Sequence, residues 1–485
     1  MNASWVLSLP EGARASRNGV GDFTIEGWYE RFVLHRLTDS MQAALERLAH
    51  PGDTVGHLTE LVRGGGEPSE VARFAHYVRR LAARGLLRMA VKTDGGWLAT
   101  LVPTARSFDP TDHYVAGGRY VMSRFAYVHR VDDVMVLESP LAAARVMLED
   151  RRIAPILLHM TKPTTATDIR AQAEFLSAAT AEALLDLLVT AGVTSRVSDE
   201  GVPAEDEHAS LPMWEFHDLL FHARSRLGRH DAPSGGTFSW AGVVEPPPAV
   251  SERDASAPVP LFRPNLDELE QHDQPFARVV EQRRSIREYG HQPIALEQLG
   301  EFLYRAARVK QRFHREYDLP EGAVTVDLTS RPYPAAGSLY ELEIYLAVQQ
   351  CDSLPLGMYC YDPVNHNLNP LAADEQLLDA LLTMAAGSAE IDARTIQVLI
   401  ILAARFPRIT WKYSSLAYAA ILKHVGVLFE SMYLTATAMN LAPCALGIGD
   451  SDLFANAIGS DYYAESSVGE FLLGSCRTTP ESSVT

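Results

Sequence analysis

Residues 331–348 read RPYPAAGSLYELEIYLAV, a compact loop that leads directly into an extended segment. The loop is predicted from residues that favour a tight turn, namely Pro332, Pro334 and Gly337. In the segment after it, apolar residues alternate with polar or aromatic ones at the period of two that is typical of a strand. The small side chains at 335–338 would let a flat ligand approach the backbone closely. The stretch therefore predicts a ligand-binding loop at the start of a strand.

The segment at 276–293 reads FARVVEQRRSIREYGHQP and concentrates positive charge. Four polar residues lie within five positions: Arg283, Arg284, Ser285 and Arg287. Guanidinium groups this close repel one another unless an anion lies among them, and their planar forks with a serine hydroxyl suit a phosphate monoester. The alternative is a solvated basic face at the end of a helix, which is the usual position of a run of charges.

The segments that follow the loop predict a buried core and a second group of reactive residues. Residues 397–406, QVLIILAARF, form a continuous apolar run that predicts a buried strand. Lys412 and Tyr413 come soon after it, and apolar residues then recur at helical spacing from 418 to 433. The remaining features are the loop glycines Gly447 and Gly449, a strand at 470–473 and Arg477.

The chain has 485 residues, with 43 Lys and Arg against 61 Asp and Glu, so its formal net charge is −18. That balance argues against a general nucleic-acid binder, which needs positive charge to neutralise phosphates. Four cysteines without a CxxC pair argue against a disulfide scaffold or a thiolate zinc site. The first residues lack a signal-peptide pattern, and no apolar run reaches the ~20 residues of a membrane span. We therefore expect a cytoplasmic protein with reduced thiols.

A segment rich in Pro, Ser, Ala and Gly at 231–264 lacks apolar periodicity and predicts a linker. It precedes a C-terminal domain at 265–485. The N-terminal half is predicted to hold two modules with the helix, strand, turn, strand order of a winged helix, at 1–108 and 109–230. Such modules recognise a peptide or a nucleic acid, or they only cover the catalytic half. The acidic balance disfavours nucleic acid.

Residues 214–226, WEFHDLLFHARSR, predict an amphipathic tethering helix in the second module. His217 and His222 are five residues apart and therefore diverge around a helix. A metal site favours i, i+4 spacing with a further carboxylate, so no metal is expected.

The C-terminal half resembles the nitroreductase superfamily and, more narrowly, the SagB-type FMN-dependent dehydrogenases. The resemblance covers residues 276–475 and rests on four motifs in the family's order, RRSIREY, RPYPAAGSLYELEIYLAV, ILKHVGVLFESMYLTATAMNLAPCALGIGD and EFLLGS. Upstream, SRFAYVHRVDDVMVLESPLAAARVML and WEFHDLLFHARSR resemble the leading region of longer members. The resemblance implies an α+β, nitroreductase-like FMN-binding domain preceded by the two winged-helix-like modules. It also implies a homodimer with FMN at the subunit interface.

The resemblance further implies how the cofactor-binding residues divide. The phosphate run is Arg283, Arg284, Ser285 and Arg287, with Arg477 as a C-terminal basic residue near the phosphate. The loop beside the isoalloxazine is Pro334, Ala335, Ala336 and Gly337, and a second loop against the flavin holds Gly447 and Gly449. Two expected cofactor-binding positions depart from the family. Ala335 stands where a serine is common, and Glu430 stands where an amide side chain is frequent.

SagB-type enzymes oxidise thiazolines and oxazolines to thiazoles and oxazoles in peptide natural-product pathways, and their azoline-oxidising members carry a Lys-Tyr pair that Lys412 and Tyr413 match. Aromatising an azoline removes a proton and a hydride, and flavin N5 takes the hydride. A lysine whose pKa is lowered by burial and nearby cations can take the proton, while Tyr413 orients the ring or relays the proton. The alternative is a solvated Lys412 and a packing aromatic at Tyr413.

We therefore expect an FMN-dependent azoline dehydrogenase that acts on a heterocyclised precursor peptide and is reoxidised by dioxygen. At least one N-terminal module is expected to recognise the leader peptide or a partner cyclodehydratase, with no nucleic-acid or membrane partner. Two alternatives stay open, a nitro or quinone reductase that uses NAD(P)H on the same fold and a non-catalytic scaffold of a peptide-cyclising complex. The missing GxGxxG fingerprint and the N-terminal half disfavour the first, and the intact arginine run disfavours the second.

Overall fold

The structure, a computed structural model, describes residues 2, 4–10, 12–18, 22–26, 31–65, 68–105, 107–110, 114–251, 257–320 and 322–477. The chain divides into two compact units, Met1–Ala232 and Pro233–Thr485. Each unit has its own buried apolar core. In the described part of the chain, no helix combines the length and the apolar character that a membrane span needs.

The first unit combines short helices with antiparallel strands. Its strands are β1 (Val6–Ser8), β2 (Arg14–Asn18), β3 (Asp22–Glu26), β4 (Arg31–Leu34), β5 (Asp53–Thr54), β6 (Arg88–Thr93), β7 (Gly96–Pro103), β8 (Tyr120–Met122), β9 (Tyr127–Val131), β10 (Val134–Glu138), β11 (Ala144–Leu148) and β12 (Thr194–Arg196). Its helices are α1 (Asp39–Ala49), α2 (Val55–Gly65), α3 (Pro68–Ala82), α4 (Ala154–His159), α5 (Ala166–Gln172), α6 (Ala178–Thr190), α7 (Ala204–Glu207) and α8 (Phe216–Arg224).

One sheet runs through the whole first unit, in the order β5-β1-β6-β7-β11-β10-β9. Strand β7 belongs to the first predicted module and its partner β11 to the second, with Leu101 opposite Val146 in their register. The apolar residues of both predicted modules also form one core cluster. The structure therefore joins the modules predicted at 1–108 and 109–230 into one unit, because a shared sheet edge pairs their strands.

The predicted order of helix, strand, turn and strand is present in the first module as α3, β6 and β7. In the second module, α6 and β12 are present, but β12 pairs with β8. After the turn that follows, only an isolated bridge between Val197 and Pro203 precedes α7. A second wing strand is therefore missing from the described residues there, and winged-helix identity stays a prediction for the first module.

The second unit contains the longer elements. Its strands are β13 (Gly235–Gly236), β14 (Val259–Pro260), β15 (Gln311–Leu319), β16 (Gly322–Ser330), β17 (Leu342–Val348), β18 (Gly357–Asp362), β19 (Asn367–Leu371), β20 (Val398–Arg405), β21 (Tyr413–Ser414), β22 (Leu441–Ala445) and β23 (Glu465–Ser475). Its helices are α9 (Leu266–His272), α10 (Phe276–Gln282), α11 (Leu296–Ala307), α12 (Glu375–Ala389), α13 (Phe406–Thr410), α14 (Ala417–Ala438) and α15 (Ser451–Ile458).

The central sheet of the second unit is antiparallel, in the order β14-β19-β18-β17-β20-β23-β22. Helices α11 and α14 contribute to the apolar cluster on one side, and α12 and α15 contribute to the cluster on the other. Every residue of β17 is buried, so the alternation that predicted this strand does not mark a solvent-facing side. The predicted α+β architecture is thus confirmed for this unit.

In the segment predicted as a linker at 231–264, the described residues 233–251 and 257–264 belong to the second unit. Strand β13 pairs with β21, and β14 pairs with β19. The indole nitrogen of Trp411 donates a hydrogen bond to the carbonyl oxygen of Val244 at 2.7 Å, and the buried guanidinium of Arg408 donates one to that of Pro247. An extended, proline-rich backbone leaves its carbonyl groups free, so it can satisfy donors that the core would otherwise leave unpaired.

Candidate active site

The loop at 334–338 meets the Lys412-Tyr413 pair at Gly337. This glycine has a φ of 58°, in the left-handed region. A Cβ atom built on it would lie 2.8 Å from Lys412 Nζ and 2.8 Å from the Tyr413 hydroxyl oxygen. Two polar side-chain ends therefore occupy the space that any other residue would fill. The structure brings together a loop and a residue pair that lie about 75 positions apart in the sequence.

Backbone contacts fix the position of Lys412. The chain leaves β20, turns through α13 and reaches Tyr413 in β21, which pairs with β13. The carbonyl oxygen of Lys412 accepts a hydrogen bond from the Phe238 amide at 3.0 Å. The pair is therefore supported by the segment that its composition had predicted to be a linker.

The amine of Lys412 lies in an aromatic environment. The residue is 7% exposed, and its Nζ donates a hydrogen bond to the Tyr317 hydroxyl at 2.9 Å. The same nitrogen lies 4.6 Å from the Tyr317 ring centroid, 5.3 Å from that of Phe238 and 5.4 Å from that of Tyr413. Among the described residues it has no ion pair with a carboxylate. Its immediate neighbours are thus aromatic rings and a hydroxyl, not the cations that we expected from the sequence.

The two tyrosines around this amine differ in acidity. Burial raises the pKa of the Tyr413 hydroxyl, and the nearby Tyr317 and Glu341 raise it further. Burial would also raise the pKa of Tyr317, but the hydrogen bond and the charge of Lys412, together with Arg315, lower it below its usual value. Tyr413 is therefore a neutral hydroxyl at neutral pH, whereas Tyr317 is electrostatically coupled to the lysine.

A buried histidine and carboxylate hold the loop from the other side. The amide of Ala336 donates a hydrogen bond to His424 Nε2 at 2.9 Å, and His424 Nδ1 lies 2.6 Å from Glu341 Oε1. Because the amide must donate, Nε2 is unprotonated and Nδ1–H donates to the carboxylate. Glu341 is fully buried. The sequence analysis missed this pair, although a glutamate just before a buried strand and a histidine within an apolar helix were signals for it.

Replacing Gly337 with alanine is expected to displace Lys412 and Tyr413 and to lower the turnover of this site at least about tenfold. A left-handed residue with a Cβ atom costs roughly 1–2 kcal/mol, and the added atom must displace both Lys412 Nζ and the Tyr413 hydroxyl. Gly387→Ala is the matched control, because a Cβ atom there meets nothing within 4 Å. Turnover and the free energy of unfolding are measured for both variants. Unchanged turnover in Gly337→Ala would show that the contact at Gly337 does not matter for the reaction.

The arginine run lies between α14 and β22. Arg283 stacks on Tyr433, with its Cζ atom 5.3 Å from the ring centroid, and the Ser285 and Tyr433 hydroxyls are 2.7 Å apart. The Ile286 amide donates to the Pro443 carbonyl at 2.8 Å. Among the described residues, Arg283, Arg284 and Arg287 have no carboxylate partner. Three guanidinium groups within one short segment thus lack a carboxylate counter-charge among the described residues, which suits an anion site.

Arg477 lies next to this run, as the sequence analysis expected, but its charge is already paired. Its Nη1 atom is 3.2 Å from Glu288 Oε2, and both side chains are exposed. A β-bridge between Tyr289 and Cys476 holds the two segments together. Such an exposed ion pair is weak, so a stronger anion can compete for the guanidinium.

The other expected cofactor-binding residues differ in their surroundings. Gly447 is exposed and faces open space, whereas a side chain at Gly449 would overlap the buried carboxylate of Glu470. Burial raises the pKa of Glu470, opposed by a hydrogen bond with Ser467. Glu430 lies exposed on α14, and its side chain has no hydrogen bond or ion pair with another described residue. The structure therefore does not bring Glu430 into contact with either the arginine run or the loop.

His217 and His222 lie apart, on α8 of the first unit. His217 is exposed beside Glu215 and Asp218, and the candidate ligand atoms of these three residues lie within 4.8 Å of one another. His222 instead stacks on Trp214, with ring centroids 5.7 Å apart. Exposed acidic groups often lie this close without a metal, so the expectation of no metal stays a prediction.

Helix α14 connects the loop and the arginine run. His424 contacts the loop and Tyr433 contacts the run, and nine residues of helix separate them by roughly 13–14 Å along the axis. One end offers unpaired guanidinium groups for a phosphate, and the other offers a glycine backbone for a flat ring. These residues fit FMN. The fold and this site together define a nitroreductase-like α+β protein.

Comparisons with known proteins agree with that class. Residues 280–474 match the nitroreductase family, and residues 120–231 match the cyanobactin oxidase ThcOx. The chain therefore contains a domain that matches the nitroreductase family, which confirms the resemblance found in its sequence. A nitroreductase homologue from Methanocaldococcus jannaschii is 28% identical over 188 residues, which cover 38% of this chain and 81% of that protein.

Three solved structures show the range of the similarity. A nitroreductase homologue from Ralstonia eutropha is 21% identical, with 51% of this chain and 100% of that one covered and a TM-score of 0.35. A chain of the Escherichia coli microcin synthetase McbBCD complex with truncated pro-MccB17 bound is 16% identical. The match covers 54% of this chain and 92% of that one, with a TM-score of 0.34. A nitroreductase homologue from Exiguobacterium sibiricum in complex with FMN is 14% identical. The match covers 44% of this chain and 93% of that one, with a TM-score of 0.29.

Proposed function

We propose that this protein is an FMN-dependent azoline dehydrogenase, which oxidises thiazoline or oxazoline rings in a modified precursor peptide to thiazoles or oxazoles. The observation that carries the proposal is the close approach of Lys412 Nζ and the Tyr413 hydroxyl to Gly337. It supports a role for the Lys412 amine as proton acceptor, beside the loop that suits a flat redox cofactor. The match of residues 120–231 to a cyanobactin oxidase supports a peptide substrate.

We propose that FMN binds along α14, with its phosphate near one end of the helix and its ring near the other. Arg283, Arg284, Ser285 and Arg287 bind the phosphate of FMN, because they combine unpaired guanidinium groups with a hydroxyl donor. The loop at 334–337 faces the isoalloxazine ring, with Ala336 held by His424. When bound, FMN supplies a hydride acceptor at N5.

The residues of this chain supply the proton chemistry. Lys412, as a free amine, takes the ring proton of the azoline, and the ammonium that forms is stabilised by the Tyr317 hydroxyl and three aromatic rings. The neutral hydroxyl of Tyr413 orients the azoline or passes the proton on. The buried position of Lys412 limits the water that competes for the amine.

The proposal includes partners. The unit Met1–Ala232 recognises the precursor peptide or a cyclodehydratase, and dioxygen reoxidises the flavin. Exposed apolar side chains on α10 and α14 favour a homodimer through the second unit, and they are Phe276, Val280, Tyr418 and Leu422.

Mass spectrometry of a heterocyclised peptide incubated with the FMN-loaded protein in air tests the function. We expect a loss of about two mass units per azoline ring, since one proton and one hydride leave. A parallel sample without peptide receives NADH, and we expect no steady consumption. Unchanged peptide mass together with steady NADH consumption would favour a nitro or quinone reductase instead.

A further inference from the structure

We propose that Tyr317 is a positioning residue for Lys412, which holds the lysine amine at Gly337 and stabilises the ammonium that forms when the amine accepts a proton. The inference rests on the proposed function and adds a residue from an element that the sequence analysis did not single out. Tyr317 lies on β15, in a two-stranded hairpin with β16. Its hydroxyl accepts the hydrogen bond from Lys412 Nζ at 2.9 Å.

The hairpin holds the Tyr317 ring firmly in place. The ring lies 4.8 Å from that of Phe238, and Tyr317 pairs with Val324 in the register of the hairpin. At the base of the hairpin, the Asp327 carbonyl accepts a hydrogen bond from the buried Arg408, and its carboxylate accepts one from the Ala249 amide at 3.3 Å. An element separate from the chain around Lys412 therefore delivers the hydroxyl to the amine.

The chemistry of an ammonium group explains why one hydroxyl matters here. A charged lysine has three N–H donors, and a buried donor without an acceptor is costly. Among the described residues, the Tyr317 oxygen is the side-chain acceptor within hydrogen-bond distance of Nζ, while the rings offer only their faces. Tyr317 therefore stabilises the charged lysine and orients it toward Gly337.

Proton transfer to Lys412 accompanies the loss of a hydride, for which bound FMN would be the acceptor. The proton leaves the azoline carbon for the lone pair of Lys412 Nζ, the electrons of that C–H bond enter the new ring double bond, and the new ammonium donates to the Tyr317 oxygen. The groups that face Tyr317 are Lys412, Arg315 on its own strand and Tyr413 on β21, while Phe238 adds no charge. Both neighbouring cations lower the pKa of Tyr317, and its hydroxyl oxygen accepts a hydrogen bond from Lys412 Nζ.

Two substitutions separate the hydroxyl from the ring. Tyr317→Phe keeps the ring and removes the acceptor, and we expect about a tenfold loss of kcat with KM and FMN content unchanged. The rising limb of the pH profile should move to lower pH by about one unit, because the charged lysine loses its acceptor. Tyr317→Leu also removes the ring and should lose more. Phe313→Leu, on the same side of β15, is the control and should behave as the wild type.

A readout besides activity follows the amine directly. The rate of Lys412 acetylation by acetic anhydride is measured against pH by peptide mass spectrometry in the full-length protein, which has only five lysines. The pH at which the acetylation rate is half-maximal should fall in Tyr317→Phe and stay constant in Phe313→Leu. A loss of activity that is equal at every pH, with an unchanged acetylation midpoint, would overturn the positioning role. Wild-type protein that leaves azolines intact but shows the acetylation shift would refute the proposed function and keep this inference.

Discussion

Replacing Lys412 with methionine is expected to lower the kcat of azoline oxidation by about 10²- to 10⁴-fold while the protein keeps its FMN. Methionine preserves the apolar stem that packs among the rings of Phe238, Tyr317 and Tyr413, so the fold has little reason to change. It removes the amine that we propose takes the ring proton. Turnover is measured by the mass loss of the peptide, and FMN content is measured from the flavin released on denaturation.

Lys412→Arg distinguishes a base from a mere cation. A guanidinium keeps the positive charge and its contacts with aromatic rings, but it does not give up its proton in proteins. We therefore expect this variant to be as inactive as Lys412→Met. Lys310→Ala is the control, because Lys310 is exposed in the same unit and its variant should keep wild-type turnover. Near-normal activity in Lys412→Arg would mean that the lysine contributes charge and not proton transfer.

The central elements of the second unit could be predicted because their apolar patterns are strong. The run at 397–406 became β20 (Val398–Arg405), and the helical spacing from 418 to 433 became α14 (Ala417–Ala438). The burial of Glu341 could not be predicted, because its alternation with apolar residues suggested a solvent-facing side. Helices on both sides of the sheet decide that burial, and a local pattern does not report them.

The site was predictable only in part, because local sequence patterns do not report the contacts that the fold creates. The family resemblance identified both the loop and Lys412-Tyr413, but their contact at Gly337 depends on the fold. The partners of these residues were missed, because 83 positions separate His424 from Glu341 and 95 separate Lys412 from Tyr317. A single polar residue in a strand or helix indicates a buried partner without saying which one it is.

Composition alone could not predict the domain boundaries, because long-range contacts determine which segments pack together. The Pro-rich segment at 231–264 was predicted to be a linker because it lacks apolar periodicity. Many of the hydrogen bonds that attach it use backbone amide and carbonyl groups, which nearly every residue type offers alike, so side-chain composition could not reveal them. Composition also could not predict the sheet of the first unit, because β7 and β11 pair although they lie on either side of the module boundary predicted at residue 108.

Replacing both Arg283 and Arg287 with alanine is expected to weaken FMN binding by about 10²- to 10⁴-fold. Each lost hydrogen bond between charged groups contributes roughly 1.5–3 kcal/mol, and the two together correspond to that change in Kd. The dissociation constant is measured by the quenching of flavin fluorescence in the apoprotein. Added FMN should raise the Tm of the wild type and should not raise that of the double variant.

Two comparisons decide whether the arginines act through an anion site. Exchanging both for lysine keeps the charge but loses the planar fork, so we expect intermediate affinity that falls further as salt rises. Arg394→Ala is the control, because that arginine is 88% exposed and pairs with Asp392 on the surface. The guanidinium groups at 283 and 287 have no carboxylate partner among the described residues, so their removal should leave the folded apoprotein stable. A double variant that retains full FMN affinity would place the phosphate elsewhere, and with it the orientation of the ring against Gly337.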